Sequence, residues 1–219
     1  VVNMKDITRN VMAREKALYV GHTVAAVAAT SEDIAEQALA LIDVTYEVLP
    51  HVLEVEDAEK PGAPLLHDDM ITIGIEPAPE SASNVAKRVE FGFGDVEKGF
   101  SEADLIIERE FTTQQVHQGY IEPHACLASV SEDGQAELWC TTQGPFVVRN
   151  FCSKLLGFNA AQIRVTASEI GGGFGGKTVV YLEPLAVLLS QKAGKPVKMQ
   201  MSREEVFRAT GPTSGTQGS

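Results

Sequence analysis

The chain has 219 residues, of which 44% are hydrophobic and 22% charged, a composition typical of globular proteins with one large or two small domains. The formal net charge of −12 repels a polyphosphate backbone, so nucleic acid is not expected as a partner. No apolar run approaches the ~20 residues of a membrane-spanning helix, so no membrane association is expected.

The three cysteines, Cys126, Cys140 and Cys152, lie far apart and show no C-x-x-C spacing. This spacing argues against a zinc or iron–sulfur site held by this chain, and against a disulfide framework. Isolated thiols fit a reducing compartment, so the cytoplasm is the expected location.

Residues 22–50 predict one strand–helix–strand unit. "HTVAAVAAT" (22–30) is rich in valine and small residues, which favours a buried strand. Thr30 or Ser31 can cap the following helix, "SEDIAEQALALI", whose first turn is acidic. Hydrophobic residues alternate in "DVTYEVLP", which predicts a half-buried strand that ends at Pro50.

The next part of the chain is rich in turn residues. "EVEDAEKPGAPLLHDD" is acidic and is expected on the surface, and the prolines of "EPAPESAS" (76–83) interrupt any periodic pattern. Beyond this break, "DVEKGFSEA" predicts a short helix and "ADLIIEREFTTQQV" a long strand.

The second half of the chain carries the clearest local signals. Asp133–Gly134 lies between two alternating runs in "CLASVSEDGQAELWC", which predicts a tight β-hairpin. "GPFVVRNFCSKLLG" predicts a helix that begins near Pro145 and ends at Gly157. Four further elements follow in the order strand, helix, strand, helix: "AQIRVTA", "VVYLEPLAVLLSQKAG", "KPVKMQMS" and "REEVFRATG".

"EIGGGFGGKTVV" (169–180) joins a predicted strand to a predicted helix and matches both G-x-x-x-x-G-K-[ST] and G-x-G-x-x-G. A phosphate loop needs a metal-binding aspartate on a later strand, but no aspartate follows Thr178. The dinucleotide pattern needs an acid ~20 residues further on, and residues 191–196 contain none. A simple turn needs only one or two glycines. We therefore expect another group to press against the bare backbone of this loop.

"GGGFGGK" (171–177) resembles the cofactor loop of the molybdenum-binding subunit of the xanthine dehydrogenase and aldehyde oxidase family. "YVGHTVAAVAAT" and "YEVLP" resemble its α/β hammerhead domain. "QGYIEPHACLASV" and "TTQGPFVVRNFCSKLLG" are similar to the start of its cofactor domain. The resemblance implies an α+β fold, with a hammerhead domain at 1–65, a linker at 66–83, and the first part of a molybdopterin-binding domain, with mixed sheets and packed helices, at 84–219.

The same resemblance implies an oxidoreductase that hydroxylates an aldehyde or an N-heterocycle with oxygen from water. Its cofactor would be molybdopterin, with the cytosine dinucleotide form left open, and Fe–S clusters and FAD would lie on partner domains or subunits. The expected partners are the remaining half of the molybdenum subunit, an Fe–S subunit, an FAD subunit and a small-molecule substrate. The competing hypothesis is a non-catalytic or nucleotide-binding α/β module that uses the glycine-rich loop as a phosphate site.

The family's catalytic base is a glutamate in a later G-E motif, which this sequence does not contain. We therefore expect no catalytic residue within the chain. The isolated chain is expected to be inactive and to bind molybdopterin weakly or not at all.

By the resemblance, Gln143 matches the glutamine that hydrogen-bonds a molybdenum oxygen ligand, although it could instead cap the helix near Pro145. Phe174 matches the phenylalanine whose backbone lies beside the metal, and its ring could belong to the core. Gly172, Gly173 and Gly175 would bring bare backbone to the cofactor.

Thr178 stands where purine-oxidising members carry a glutamate, so it is expected to contact a different substrate or to cap the next helix. Glu122 and His124 resemble a metal or acid–base pair by residue type, but structural contacts to the backbone are expected for both. His117 is not expected to hold a metal. Glu183 is expected to be solvated or to lie in a helical first turn.

Overall fold

A computed structural model describes residues 11–13, 15–211 and 213–219. The chain forms two compact units, one that joins residues 1–43 to 110–219 and one that spans 44–109. Within the described residues, every helix is too short or too polar to cross a membrane.

The elements are numbered in chain order. The helices are α1 (Glu32–Leu39), α2 (Val55–Ala58), α3 (Val96–Glu102), α4 (Pro145–Leu156), α5 (Glu183–Ala193) and α6 (Arg203–Ala209). The strands are β1 (Phe111–Thr113), β2 (Ala125–Val130), β3 (Ala136–Cys140), β4 (Ile163–Ala167), β5 (Val197–Gln200) and β6 (Thr216–Gly218). A 3₁₀ turn, Ala160–Gln162, precedes β4.

The larger unit is built on a mixed four-stranded sheet with the order β4-β3-β2-β5. Strand β2 pairs antiparallel with both β3 and β5, whereas β3 and β4 are parallel. Helix α4 makes the connection between these parallel strands, as a parallel pair requires. The mixed sheet with packed helices confirms the predicted α+β class.

Helices α4 and α5 pack on the sheet and bury one apolar cluster. It consists of Cys126, Ala128, Ala136, Leu138, Cys140, Val148, Cys152, Ile163, Ala186 and Val187. Side chains alternate along a strand, so every second residue of β2 and β3 enters this cluster. The three cysteines are free thiols in its interior.

The locally encoded elements form as the sequence predicts. The Asp133–Gly134 hairpin joins β2 to β3, and the hydroxyl of Ser31 caps α1 by accepting the Ile34 N–H at 3.4 Å. Helix α4 begins at Pro145 and ends before Gly157, whose φ of +74° is the left-handed conformation that glycine adopts easily. The predicted hairpin and both helices are therefore confirmed.

Three predicted strands differ from the structure. Residues 22–30 and 43–50 take part in no sheet among the described residues, and "ADLIIEREFTTQQV" forms a shorter strand than predicted: β1, which pairs with β6, and a single bridge between Val116 and Thr213. Alternating hydrophobic residues report β propensity, but a strand forms only where a second strand supplies its hydrogen bonds. The predictions at 22–30 and 43–50 were wrong and the third strand was predicted too long, because strand pairing depends on distant parts of the chain.

The smaller unit, residues 44–109, contains α2 and α3. Asn84 organises its centre, because the side-chain Nδ2 donates to the carbonyl oxygens of Ala58 and Pro64, each at 3.0 Å. Its Oδ1 accepts the N–H of Leu66 at 3.0 Å. One amide side chain thus joins residue 84 to two other backbone segments, at residue 58 and at residues 64–66.

Candidate functional site

The glycine-rich loop closes around the side chain of Gln143. Its Oε1 accepts the backbone N–H groups of Gly175 and Lys177, at 3.0 and 3.3 Å. An N–H group can only donate, so these contacts fix the oxygen toward the loop and the amide nitrogen away from it. The side chain is exposed, and Nε2 has no hydrogen-bond partner within the described residues. The site therefore presents a neutral N–H donor that is held in one orientation.

The absence of side chains in the loop has a steric cause. A Cβ at Gly173 would lie 2.5 Å from Oε1 of Gln143, and one at Gly176 would lie 2.8 Å from the ring of Tyr120. Both distances are shorter than any normal contact. The groups that press against this backbone are thus the chain's own side chains, a contact that the glycine density alone did not identify.

The middle of the loop has an unusual backbone. Gly172 and Gly175 have φ values of +96° and +87°, and Phe174 has a φ of +50°, which is uncommon for a residue with a side chain. The Phe174 side chain is 75% exposed, so the alternative that its ring belongs to the core is wrong. The N–H groups of Gly172, Gly173 and Phe174 make no hydrogen bond to any described residue. Strained backbone of this kind commonly marks a binding site.

An ion pair between a fully buried lysine and a partly exposed glutamate lies at the base of the loop. The fully buried Nζ of Lys177 is 2.7 Å from Oε2 of Glu122, and the same oxygen accepts the N–H of Gly171 at 2.7 Å. Burial raises the pKa of Glu122, but the hydrogen bonds from Lys177 and Gly171 outweigh it and keep this pKa below its usual value. A Cβ at Gly171 would lie 2.8 Å from Cβ of Glu122. Glu122 therefore contacts the backbone, as the sequence predicts.

This geometry argues against the phosphate-loop hypothesis. A phosphate loop directs its lysine at the nucleotide and begins a helix immediately after the lysine. Here Lys177 is engaged by Glu122, and α5 begins only at Glu183. Neither the cation nor the helix terminus is therefore placed to bind phosphate.

Two histidines, His117 and His124, contact the ring of Tyr120. Nε2 of His124 is 2.6 Å from the Tyr120 hydroxyl, so its partner is a side chain and not the expected backbone group. Burial, followed by the charge of Lys177, lowers the pKa of His124 to about 4. Nδ1 of His117 accepts the N–H of Gly119 at 3.0 Å, which places the ring proton on Nε2, 2.9 Å from Oγ1 of Thr210. Within the described residues, no cluster of three His, Cys, Asp or Glu side chains is arranged to hold a metal.

Thr178 and Glu183 follow the loop. The hydroxyl of Thr178 donates to the carbonyl oxygen of Gly175 at 2.8 Å, and the helix begins five residues later, so the alternative that Thr178 caps it is wrong. Glu183 does lie in the first turn of α5, but it is buried, and its Oε2 accepts the Tyr181 N–H at 2.8 Å. Burial raises the pKa of Glu183, although backbone N–H groups oppose this effect. Of the two predicted alternatives, the position in the first turn is confirmed and the solvated one is wrong.

Sequence reasoning missed two members of the site. Lys177 is fully buried, and the Tyr120 ring packs against its ammonium group. The Nζ atom of Lys177 lies 4.9 Å from the centroid of the Tyr120 ring. Lysine is almost never fully buried, so its position in the motif gave no indication of this contact. The one sequence feature that could have indicated this contact is "QGYIEPH", because it places Tyr120 and Glu122 two residues apart.

Comparison with known proteins gives matches over most of the chain. A family model described as "Molybdopterin cofactor-binding domain" matches residues 78–219, and one described as "Aldehyde oxidase and xanthine dehydrogenase, a/b hammerhead domain" matches residues 1–50. The chain is 33% identical to a probable hypoxanthine oxidase of Escherichia coli (strain K12), over 90% of the chain and 23% of that protein. It is 34% identical to one of the probable xanthine dehydrogenase subunits of Bacillus subtilis (strain 168), over 91% of the chain and 25% of that protein.

The fold is also similar to solved structures. A structure of reconstituted CO dehydrogenase from Oligotropha carboxidovorans superimposes with a TM-score of 0.69 at 31% identity. The match covers 84% of this chain and 23% of the CO dehydrogenase chain. The chain thus spans about a quarter of the length of the curated relatives it matches.

Proposed function

Because the chain belongs to the aldehyde oxidase and xanthine dehydrogenase family and contains its molybdopterin-binding domain, we propose that it is part of a molybdenum hydroxylase. In this proposal it forms the molybdopterin-binding portion of an oxidoreductase that hydroxylates an aldehyde or an N-heterocycle. The family membership confirms the resemblance predicted from the loop and the segments around it.

One observation carries the proposal: the carboxamide of Gln143 is held by the loop with its Nε2 free to donate. A neutral donor suits an oxygen ligand of a metal because it stabilises that oxygen without adding charge. When bound, molybdopterin would supply the redox chemistry and the transfer of oxygen from water. Gln143 would orient the cofactor by a hydrogen bond from Nε2.

The loop backbone fits the same group. The N–H groups of Gly172, Gly173 and Phe174 are without partners in the described part of the chain, and they lie on backbone that carries only one side chain. Consecutive N–H groups of this kind bind anionic ligands. Gly175 would act differently, because its N–H already holds Oε1 of Gln143.

Thr178 is proposed as a substrate contact. Its hydroxyl is engaged by Gly175, so the exposed side chain presents a methyl group beside the loop. Such a group cannot bear charge or accept a proton from a ring nitrogen as a glutamate would. The names of two relatives refer to the purines hypoxanthine and xanthine, which supports N-heterocycles as a substrate class, whereas Thr178 in place of the glutamate disfavours a purine itself.

The remaining parts of the enzyme are proposed by the same family membership. The rest of the molybdenum subunit would carry the base glutamate, and Fe–S and FAD subunits or domains would accept the electrons; the predicted remaining half is too small a share, because the chain spans only about a quarter of these relatives. The cofactor would be molybdopterin either in its simple form or in its cytosine dinucleotide form. The three free thiols support a location in the cytoplasm.

Expression of the complete subunit with its partner chains in a molybdenum-replete host tests the proposal. We expect stoichiometric molybdenum and, with water labelled in its oxygen, transfer of the label to the product. Gly173→Ala should lower the molybdenum content at least tenfold, since its Cβ would displace the Gln143 carboxamide. Gly99→Ala is the matched control, because a Cβ there meets open space. Full molybdenum content and turnover in Gly173→Ala would contradict the assignment of this loop.

The Gln143→Glu variant tests hydrogen-bond donation by Nε2 without removing the bonds that hold the loop. The carboxylate can still accept the N–H groups of Gly175 and Lys177, but it has no N–H to donate. We expect the variant to keep its thermal stability and to lose roughly 100-fold in kcat, the usual effect of removing one preorganised donor. Wild-type kcat in this variant would exclude Gln143 as a hydrogen-bond donor in the reaction.

A further inference from the structure

Lys177 uses each of its polar groups to hold the site together. Its backbone N–H donates to Oε1 of Gln143 at 3.3 Å, and its carbonyl oxygen accepts the Gln143 N–H at 2.9 Å and the Thr142 hydroxyl at 3.0 Å. Its Nζ donates to Oε2 of Glu122 at 2.7 Å. One buried residue therefore connects the carboxamide of Gln143 to an acid 21 positions earlier in the chain.

Glu122 joins the two ends of the loop. A single carboxylate oxygen accepts hydrogen bonds from Gly171, where the loop begins, and from Lys177, where it ends. The Glu122 N–H also donates to the carbonyl oxygen of Gly171 at 3.3 Å. Glu122 makes no hydrogen bond to Gln143 or Gly175 in the described structure, so any effect on these residues must pass through the loop.

The groups around the Lys177 ammonium hold it in one position relative to Glu122. The Tyr120 ring covers Nζ on one side, and the carboxylate of Glu122 lies on another. A buried ion pair rarely adds net stability, because desolvation offsets the attraction between the charges. Removing Glu122 costs much more, since the charge of the fully buried Lys177 is then left without a partner. Such a pair is therefore suited to fixing a conformation.

We propose that Lys177 and Glu122 form a clamp that positions the carboxamide of Gln143, with Lys177 as a positioning residue for the proposed reaction. The inference deepens the proposed function and rests on it for its role in catalysis. The clamp itself is a property of this chain and can be tested without cofactor.

The first test is amide hydrogen exchange, followed by NMR together with the side-chain NH₂ signals of Gln143. In Lys177→Met, the Gly175 amide should exchange at least tenfold faster, and the two NH₂ signals of Gln143 should move toward their free-amide positions. Amides of β2 and β3 should keep their rates, which shows that the variant is folded. Lys198→Met is the matched control, because Lys198 is an exposed lysine on β5.

Glu122→Gln is the more specific variant, because it changes the charge of the clamp and little else. It keeps the volume of the side chain and an oxygen for the Gly171 N–H, but it removes the charge that Lys177 needs. Faster exchange at Gly175, which Glu122 does not contact, would support transmission through the clamp. Wild-type exchange at Gly175 in both variants, each with protected β2 and β3, would overturn the proposal.

The second test uses the complete enzyme. We expect Lys177→Met to lower kcat at least tenfold with little change in KM, because the clamp acts on Gln143 and not on substrate, and small displacements of positioned groups cost such factors. Lys177→Arg should recover part of kcat, since it keeps the charge. Wild-type kcat in Lys177→Met would overturn the catalytic role. If the wild-type enzyme holds no molybdenum, the proposed function fails, while the exchange data still decide on the clamp.

Discussion

His124 is a buried imidazole beneath the loop, and its protonation should make stability depend on pH. Its folded-state pKa is about 4, below the unfolded value of 6.5, mainly because burial disfavours the charged form. A histidine with a lowered pKa stabilises the fold fully above pH 6.5, and this contribution is lost as the pH falls toward 4. We expect a loss of at most about 2 kcal/mol in unfolding free energy between pH 7 and pH 5.

Urea unfolding of wild type and His124→Gln at both pH values measures this effect. The glutamine oxygen can still accept a hydrogen bond from the Tyr120 hydroxyl, but the side chain does not titrate. The stability of the variant should therefore fall less between pH 7 and pH 5, while the carboxylates common to both proteins cancel in the difference. Equal falls in the two proteins would show that His124 is not the residue responsible.

At the residue scale, the sequence predicted which residues form the loop but not how they contact one another. Gln143 was identified through the family motif. The direction of its carboxamide depends on Gly175, 32 residues away, and the buried state of Lys177 depends on Glu122, 55 residues away. Contacts over such separations follow from the fold, and a local pattern does not contain them.

The buried hydroxyl of Ser190 connects helix α5 to strand β2 by a hydrogen bond. Oγ of Ser190 accepts the N–H of Val130 at 3.0 Å, at the end of β2, and donates to the carbonyl oxygen of Lys195 at 2.8 Å. Ser190→Ala would remove this partner from the N–H of the partly buried Val130 and from the carbonyl oxygen of Lys195. We expect a loss of about 2 kcal/mol in unfolding free energy, the usual cost of an unsatisfied buried group.

Ser101→Ala is the matched control for this prediction. The hydroxyl of Ser101 donates to the carbonyl oxygen of Lys98 within α3, but both lie in solvent. Removing it should change stability by less than about 0.5 kcal/mol, because water replaces the lost bond. A similar small effect in Ser190→Ala, measured by denaturant unfolding, would mean that water reaches the Val130 N–H.

At the element scale, the predictions succeeded where the determinants are local. The Asp133–Gly134 turn, the glycine stop at Gly157 and the cap at Ser31 each act within a few residues, and the hairpin and helices form as expected. The strands predicted at 22–30 and 43–50 need a distant partner. Their sequences carry the propensity without specifying the pairing.

At the scale of the whole molecule, the fold class followed from the family resemblance and is confirmed by the mixed sheet. Domain limits are harder to derive, because compactness is set by contacts between distant segments. The division predicted at residues 65 and 84 stays a prediction. The two compact units of the structure divide the chain at residues 43 and 109, and the larger one is discontinuous in sequence.

The segment predicted as a linker, residues 66–83, offers the last test. In the smaller unit it is hydrogen-bonded: the Ser83 N–H donates to the Met70 carbonyl oxygen at 3.0 Å, and the Ile73 N–H to that of Ala86 at 3.0 Å. Backbone N–H groups of residues 89–94 make no such bond within the described chain. Hydrogen exchange followed by mass spectrometry should therefore show residues 70–88 exchanging at least tenfold more slowly than residues 89–94. Equal rates would mean that 66–83 is a flexible connection and that the smaller unit is not stable along this segment.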